Sequence, residues 1–401
     1  MNARDGLRRA ASGIWRVLPT GPRQALARVA IRALSPRLAD PLPASLDDGA
    51  PRIVAGFLTS ASGLGQAARL AYTAFERAGR DVYGIDLSRF LVTAGAEIDF
   101  KFRDAARLAG EGQVLINVNA PLMRLAASAM GSRFFKGKWV TGYWAWELPQ
   151  MPQDWADGLR FAHRLAAPSQ FVADAITGLG WPEPVVVAPH PVAVEDWGDL
   201  PSRPAGPFTI VTAFNAASGF ARKNPTALIA AFRRAFPSRA SAARLRILAT
   251  NIEHFPAGRA ALVAAIEGDE RIELLVSPSL SRGDYLAWYG APDLFGSLHR
   301  SEGFGLGIAE SMCRGVPALA TNWSANAEYM DESNGFPVAF SLTPVEDPQG
   351  KYREKAQVWA DADVIDAADR LRAAAEDPVG LARVAAAALD KGRRQFSAFP
   401  L

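Results

Sequence analysis

The sequence predicts an α/β protein of two doubly wound domains facing one another across a cleft. Three observations predict it. Short β-rich runs alternate with helical stretches from Arg52 onward, a Pro- and Gly-rich passage interrupts that alternation near the middle, and the alternation then starts afresh. At 401 residues the chain is long for one hydrophobic core and comfortable for two.

In the first half the strand candidates are Ile53–Leu58, Val82–Leu87, Val114–Asn119, Trp139–Trp146, Leu165–Pro168 and Val185–Ala188. Helical stretches such as Ala67–Arg77 and Phe171–Leu179 lie between them. Pro189 through Pro207 reads as a linker. The second half runs Phe208–Phe214, the helical Thr226–Phe236, then Leu245–Ala249, Ile272–Val276, Leu294–Leu298, Ala318–Thr321 and Phe336–Phe340. The expected division is a basic extension over 1–48, a first Rossmann-like domain over 49–195 and a linker over 196–206. A second Rossmann-like domain over 207–385 and a short tail over 386–401, which either crosses back to the first domain or stops short of it, complete it. Ligands of such sheets bind at the carboxyl ends of the strands, which here means the cleft.

Composition narrows the class. Hydrophobic residues make up 49% and charged residues 21%, an ordinary globular balance. The single cysteine, Cys313, excludes an internal disulfide, and the four histidines His163, His190, His254 and His299 show no zinc-ligand spacing and sit in no recognisable motif. A net charge of +3 gives no reason to expect a nucleic-acid groove. Arg4, Arg8, Arg9, Arg16, Arg23, Arg28, Arg32 and Arg37 crowd the first forty positions among Ile14, Trp15, Leu18 and Ile31, a cationic amphipathic stretch. It reads either as an interfacial segment for anionic lipid or as a solvated extension, since Pro19, Gly21 and Pro22 break it into short pieces. No apolar run suits a signal peptide or a membrane span, so the expected location is the cytoplasm, with peripheral contact at the inner face of the membrane as an option.

The chemistry concentrates after the strand ending at Leu298, in Ser301-Glu302-Gly303-Phe304-Gly305-Leu306-Gly307-Ile308-Ala309-Glu310. Glu302 lies in a glycine-rich turn and Glu310 in the helix that follows. Gly303 and Gly305 let backbone approach a ligand, and the free N–H groups of the turn favour a phosphate. Glu302 suits sugar hydroxyls, and Glu310 suits the two hydroxyls of a ribose. Two glutamates at a helix start can also merely complement its dipole. A second element, Asn215 through Pro225, places the adjacent cations Arg222 and Lys223 before a helix.

With these residues the sequence resembles family 4 of the retaining glycosyltransferases, which have the GT-B architecture. The match is the E-x7-E motif with its internal Gly-Phe-Gly, together with Gly315-Val316-Pro317 and Ala320 to Ser324. The resemblance implies that Glu302 contacts the transferred sugar and that Glu310 holds the nucleotide ribose. It further implies that Lys223 and Arg222 hold the donor diphosphate, and that Gly303, Phe304, Gly305 and Leu306 line the donor site. It departs from the family in that Arg222 and Lys223 are contiguous.

In the first half, Gly63-Leu64-Gly65-Gln66-Ala67-Ala68 opens a helix after the first strand, with Asp86 following, which reads as a dinucleotide fingerprint on paper. Thr59-Ser60-Ala61-Ser62 intervene before the first glycine, too slack for that turn. In the resembled family this loop closes over the donor phosphates, which gives Gly63 and Gly65 a role. The passage Gly142 to Pro149, with Asn117-Val118-Asn119, is similar to stretches in some members. It places Asn119, Trp146 and Glu147 either on the acceptor or sugar side or in ordinary packing.

The resemblance implies a metal-independent hexosyltransferase with a nucleoside diphosphate sugar as donor, no cofactor, and a glycan or lipid-linked acceptor in polysaccharide biosynthesis. A GT-B sugar-nucleotide epimerase, an NAD-type oxidoreductase and a non-catalytic partner in envelope-polysaccharide assembly stay open as alternatives.

Overall fold

The computed structural model describes residues 38, 49–88, 97–105, 107–194, 206–277, 280–352 and 356–401. The basic extension other than Leu38, the linker other than Gly206, and Pro278 and Ser279 lie outside the described residues.

The first sheet has six strands in the order β2-β1-β3-β4-β5-β6. They are β1 (Arg52–Gly56), β2 (Val82–Asp86), β3 (Gly112–Asn117), β4 (Lys138–Tyr143), β5 (Arg164–Ala167) and β6 (Val186–Val187). Every pairing in it is parallel. Helices cover both faces, so the central strands are apolar without alternation, as in Ile53-Val54-Ala55 and Val114-Leu115-Ile116, all buried. Helix α1 (Gly63–Arg77) is capped by Ser62, whose hydroxyl accepts from Gly65 N. Helices α2 (Ala120–Met130) and α3 (Gln170–Thr177) follow β3 and β5.

The second sheet also has six strands, ordered β12-β11-β10-β7-β8-β9 and again parallel throughout. Its strands are β7 (Thr209–Asn215), β8 (Arg244–Thr250), β9 (Ile272–Ser277), β10 (Leu294–Ser297), β11 (Ala318–Thr321) and β12 (Phe336–Val338). The helices are α4 (Phe220–Lys223), α5 (Pro225–Ala235), α6 (Pro256–Ile266), α7 (Arg282–Tyr289) and α8 (Leu306–Cys313). The fold is α/β with two Rossmann-like sheets, as the alternation of elements predicts.

The structure corrects two strand readings. Trp139–Trp146 stops at Tyr143, because the chain turns off the sheet there and Trp144, Trp146 and Leu148 fill the core from a loop. Phe336–Phe340 is two strands: β12 ends at Val338, and β13 (Phe340–Pro344) leaves the sheet to pair antiparallel with β14 (Val358–Ala362). This hairpin arm places Trp359 in the core of the first half. Helices α9 (Val364–Glu376) and α10 (Pro378–Gln395) follow. Beyond them Phe396 packs on Phe304 and Tyr329, and Phe399 on Phe75 and Tyr143 of the first half.

Candidate active site

Strand β7 delivers its carboxyl end to a tight turn in which Asn215 Oδ1 accepts from Ala217 N at 2.9 Å and Gly219 takes a φ of 106°. The turn leads into the single helical turn α4, which ends on Asn224 in the left-handed region at φ 48°. The buried Asn224 side chain donates to Leu298 O at 3.0 Å, fastening this loop to the end of β10. Arg300 adds a second brace, its main-chain N donating to Arg222 O at 2.7 Å. Arg222 and Lys223 are thereby held over the glycine-rich turn.

The carboxylate of Glu302 lies between them. One oxygen pairs with Lys223 Nζ, and the other stands 3.0 Å from Arg222 Nη1. Arg222 is almost fully buried, and its remaining N–H groups donate to Ser301 O at 2.7 Å and Ser218 O at 3.0 Å. Burial opposes the charge on Glu302, but Arg222 and Lys223 outweigh it and hold the carboxyl well below the usual carboxylate range. Burial likewise works against the Arg222 charge, and Glu302 more than restores it. The backbone is fixed as firmly, since Glu302 N donates to Ser324 Oγ at 2.8 Å.

The first half closes on this turn. A Cβ on Gly303 would stand 2.4 Å from Trp146 O, so only glycine permits the approach. Ser169 Oγ donates to Gly303 O at 2.8 Å. Glu328 caps α3 from across the seam, accepting from Gln170 N at 2.8 Å and Phe171 N at 2.7 Å. Glu147 comes to 3.8 Å from Arg222 Nη2. At Gly305, φ is 86°, and a Cβ would stand 2.9 Å from the hydroxyl of Tyr329, which donates to Phe304 O at 2.6 Å.

The structure thus brings Glu302, Lys223, Arg222 and Glu147 together, with Gly303, Phe304 and Gly305 forming the turn. Glu310 is not among them. It sits on α8, half-buried, with Tyr285 and Tyr289 of α7 and Arg314 as its electrostatic neighbours. Leu306 opens α8, half-buried.

Three residues from the first half have local structural jobs. Asn119 Oδ1 accepts from Ala145 N at 2.9 Å and ties the loop after β3 to the loop after β4. Trp146 is buried against Trp155 and Tyr352, and its Nε1 donates to Gln150 O at 2.8 Å. Gly65 is packed so that a Cβ would stand 2.3 Å from Ser60 O, whereas Gly63 faces open space. The loop before α1 is filled by Arg69, whose Nη1 donates to Leu58 O at 3.1 Å and Ser60 O at 2.8 Å. Asp86, the ribose ligand of a dinucleotide fingerprint, accepts instead from Thr59 Oγ1 at 2.8 Å and Ser88 Oγ at 2.7 Å. The segment therefore folds as a compact packed loop and not as an open phosphate turn.

His299 and Tyr352 belong to the site although no motif marks them. His299, fully buried at the end of β10, is lowered to about 4 by burial, with Lys223 and Arg222 adding to the effect and Glu302 opposing it. Its one sequence signal is its place three residues before Glu302. Tyr352 arrives on the hairpin arm, and nothing local in the sequence announces that. The described residues also line an open pocket of about 490 Å³, with Thr209, Arg244, Arg246, Glu273 and Tyr289 among its walls. It lies at the amino ends of β7 and β8, the opposite edge of the sheet from the ion cluster.

Comparison with solved structures agrees with the two-sheet architecture. HepE from Anabaena, solved with UDP and glucose, superposes with a TM-score of 0.60 at 15% identity, covering 86% of this chain and 95% of that one. The chain has the GT-B fold. A glycosyltransferase from Rickettsia africae gives a TM-score of 0.58 at 15% identity over 86% of this chain and 93% of that one. TarM from S. aureus gives 0.50 at 12% identity over 71% of this chain, which spans only 52% of the TarM chain. No protein-family profile and no curated protein matches the sequence.

Among the described residues no helix is long and apolar enough to cross a membrane.

Proposed function

We propose that the chain is a retaining hexosyltransferase that moves a sugar from a nucleoside diphosphate to a hydroxyl of a glycan or lipid-linked acceptor. The observation that carries this reading is the cluster of Glu302 with Arg222 and Lys223 on a glycine turn at the carboxyl edge of the second sheet. The HepE structures, solved with UDP and glucose and with UDP-glucose, support it. On this reading the diphosphate lies at Lys223, Arg222 and the amides of the Gly303 turn, while Glu302 receives sugar hydroxyls and Glu310 the ribose. The bond from the acceptor oxygen to the anomeric carbon forms on the face from which the anomeric carbon–phosphate oxygen bond breaks. The acceptor proton passes to the leaving diphosphate oxygen. Two cations oppose the charge that develops there, so the chemistry does not call on a metal. A role in polysaccharide assembly at the inner membrane face, reached through the arginines of residues 1–40, completes the proposal.

The test uses the purified full chain. A thermal-shift screen against common sugar nucleotides identifies the donor, because a ligand that binds only the folded state raises its melting temperature. Lys223→Ala is then expected to cost about 3 kcal/mol in the barrier, roughly 150-fold in turnover. Near-full transfer by Lys223→Ala refutes the assignment.

A further inference from the structure

We propose that Glu147 holds the attacking hydroxyl, and that Tyr352 from the hairpin arm fixes the Glu147 carboxylate for that task. The inference rests on the transferase reading and adds to it the chemistry of the acceptor side.

The two carboxylates of the cluster differ in what they have left to give. Glu302 spends both oxygens on Arg222 and Lys223 and is nearly buried. Glu147 belongs to the opposite half, in the loop that follows β4, and its side chain is 29% exposed. Its contacts are long: Arg222 Nη2 at 3.8 Å and the Tyr352 hydroxyl, which donates to Oε2 at 3.3 Å. A carboxylate has roughly four acceptor positions, and a charge-assisted bond at full strength is about 2.8 Å, so Glu147 keeps acceptor capacity facing the cations.

Its surroundings are built for this. The Tyr352 ring stacks edge-on against Trp146 at 5.5 Å and Trp359 at 6.3 Å, and lies over Gly219, where a Cβ would come to 3.7 Å. The arm itself is pinned at both ends of its loop. Gln349 accepts from Phe220 N at 2.6 Å and donates to Ala216 O at 3.0 Å, and Gln357 donates to Gln150 O at 2.8 Å. One half thus supplies the carboxylate and the other supplies the hydroxyl that orients it.

The charge selects the ligand. A carboxylate repels a phosphate, so the group at Glu147 is the neutral hydroxyl of a sugar or polyol, and any phosphate of a lipid-linked acceptor stands away from it. Glu147 orients this hydroxyl, and the proton still leaves on the diphosphate. Tyr352 is a positioning residue.

The experiment compares the full chain with Glu147→Gln and Tyr352→Phe, both of which keep side-chain size. The probes are UDP-glucose, UDP-galactose, UDP-N-acetylglucosamine and GDP-mannose, and the one giving the largest thermal shift is carried forward. Donor Kd is measured by calorimetry, and nucleoside diphosphate release is measured with water and then glycerol as the attacking hydroxyl. Donor Kd is expected to stay within about twofold, while saturated turnover falls roughly 10- to 150-fold for Glu147→Gln and about fivefold for Tyr352→Phe, as expected for one charged and one neutral hydrogen bond. Weakened donor binding at unchanged turnover overturns the proposal, because Glu147 would then serve the diphosphate through Arg222. Unchanged binding and turnover overturn it as well. Failure of every probe to bind or to turn over, or indifference to Lys223→Ala, instead sinks the transferase reading itself.

Discussion

Glu302→Gln separates the architecture of the ion cluster from its chemistry. The substitution keeps the shape of the side chain and removes its charge, leaving Arg222, 2% exposed, and Lys223 with only Glu147, 3.8 Å from Arg222 Nη2, as a counter-charge. Removing one partner of a buried pair costs about 3–5 kcal/mol, most of it the penalty of the charge left behind. Arg222 keeps its bonds to Ser301 O and Ser218 O, and the Lys223 side chain is 22% exposed, so about 3 kcal/mol is expected. Urea denaturation at pH 7 reads it as a lowered midpoint at unchanged slope. The pH dependence carries the sign. The folded Glu302 carboxyl is held well below its ordinary value, so its contribution is fully present above the unfolded carboxylate pKa and is lost as pH falls toward the folded one. The gap between the two proteins is therefore constant from pH 7 down to about pH 5 and narrows below that. A loss under about 1 kcal/mol at pH 7, or a gap that stays constant down to pH 3.5, refutes the buried-pair reasoning.

Two further predictions follow from the same region. His299 titrates near pH 4 when folded and near 6.5 when unfolded, so the unfolded chain binds the extra proton between those values and stability falls by roughly 3 kcal/mol as pH drops across that window; His299→Asn flattens that part of a stability-versus-pH curve, and an unchanged slope counts against the burial of the ring. Gly303→Ala places a methyl 2.4 Å from Trp146 O, and overpacking of this kind costs about 1–3 kcal/mol, read as a lowered melting temperature; a melting temperature equal to the parent's means that the seam between the halves is looser than described.

What was legible in the sequence is what local pattern encodes. Runs such as Val114-Leu115-Ile116 and Ile247-Leu248-Ala249 mark buried parallel strands because both of their faces need apolar side chains. The Glu302 turn and the Arg222-Lys223 pair are each local, and each follows a strand of the same sheet, so the doubly wound order brings them together. Tyr352 was illegible, because its position depends on a hairpin that departs from the sheet at Ala339 and crosses to Trp146 and Glu147, more than two hundred residues away in the chain. Trp146 is a position that local pattern leaves open between two readings. An aromatic at a strand end suggests a sugar platform, yet its indole satisfies Gln150 O within its own loop and its faces are covered by Trp155 and Tyr352. In the first half, Gly65 answers to the nearby carbonyls of Phe57 and Ser60. Pattern reveals that a glycine is required but not which neighbour requires it.

The charges at the seam bear on how such a site works. Arg222 and Lys223 face Glu302 and Glu147, so the cluster is balanced by the protein alone. On the proposed function, a diphosphate does not enter an unpaired cationic hole. It competes with Glu302 for Lys223, and a carboxylate displaced from Lys223 is left with lone pairs that only hydroxyl donors can satisfy. The sugar that accompanies the diphosphate carries those hydroxyls. Donor binding and the release of Glu302 toward the sugar are then one exchange of partners, in which Arg222, anchored by Ser301 O and Ser218 O, stays in place and Lys223 on its flexible stem moves. That division of labour gives a physical reason for the two adjacent cations to be of different kinds.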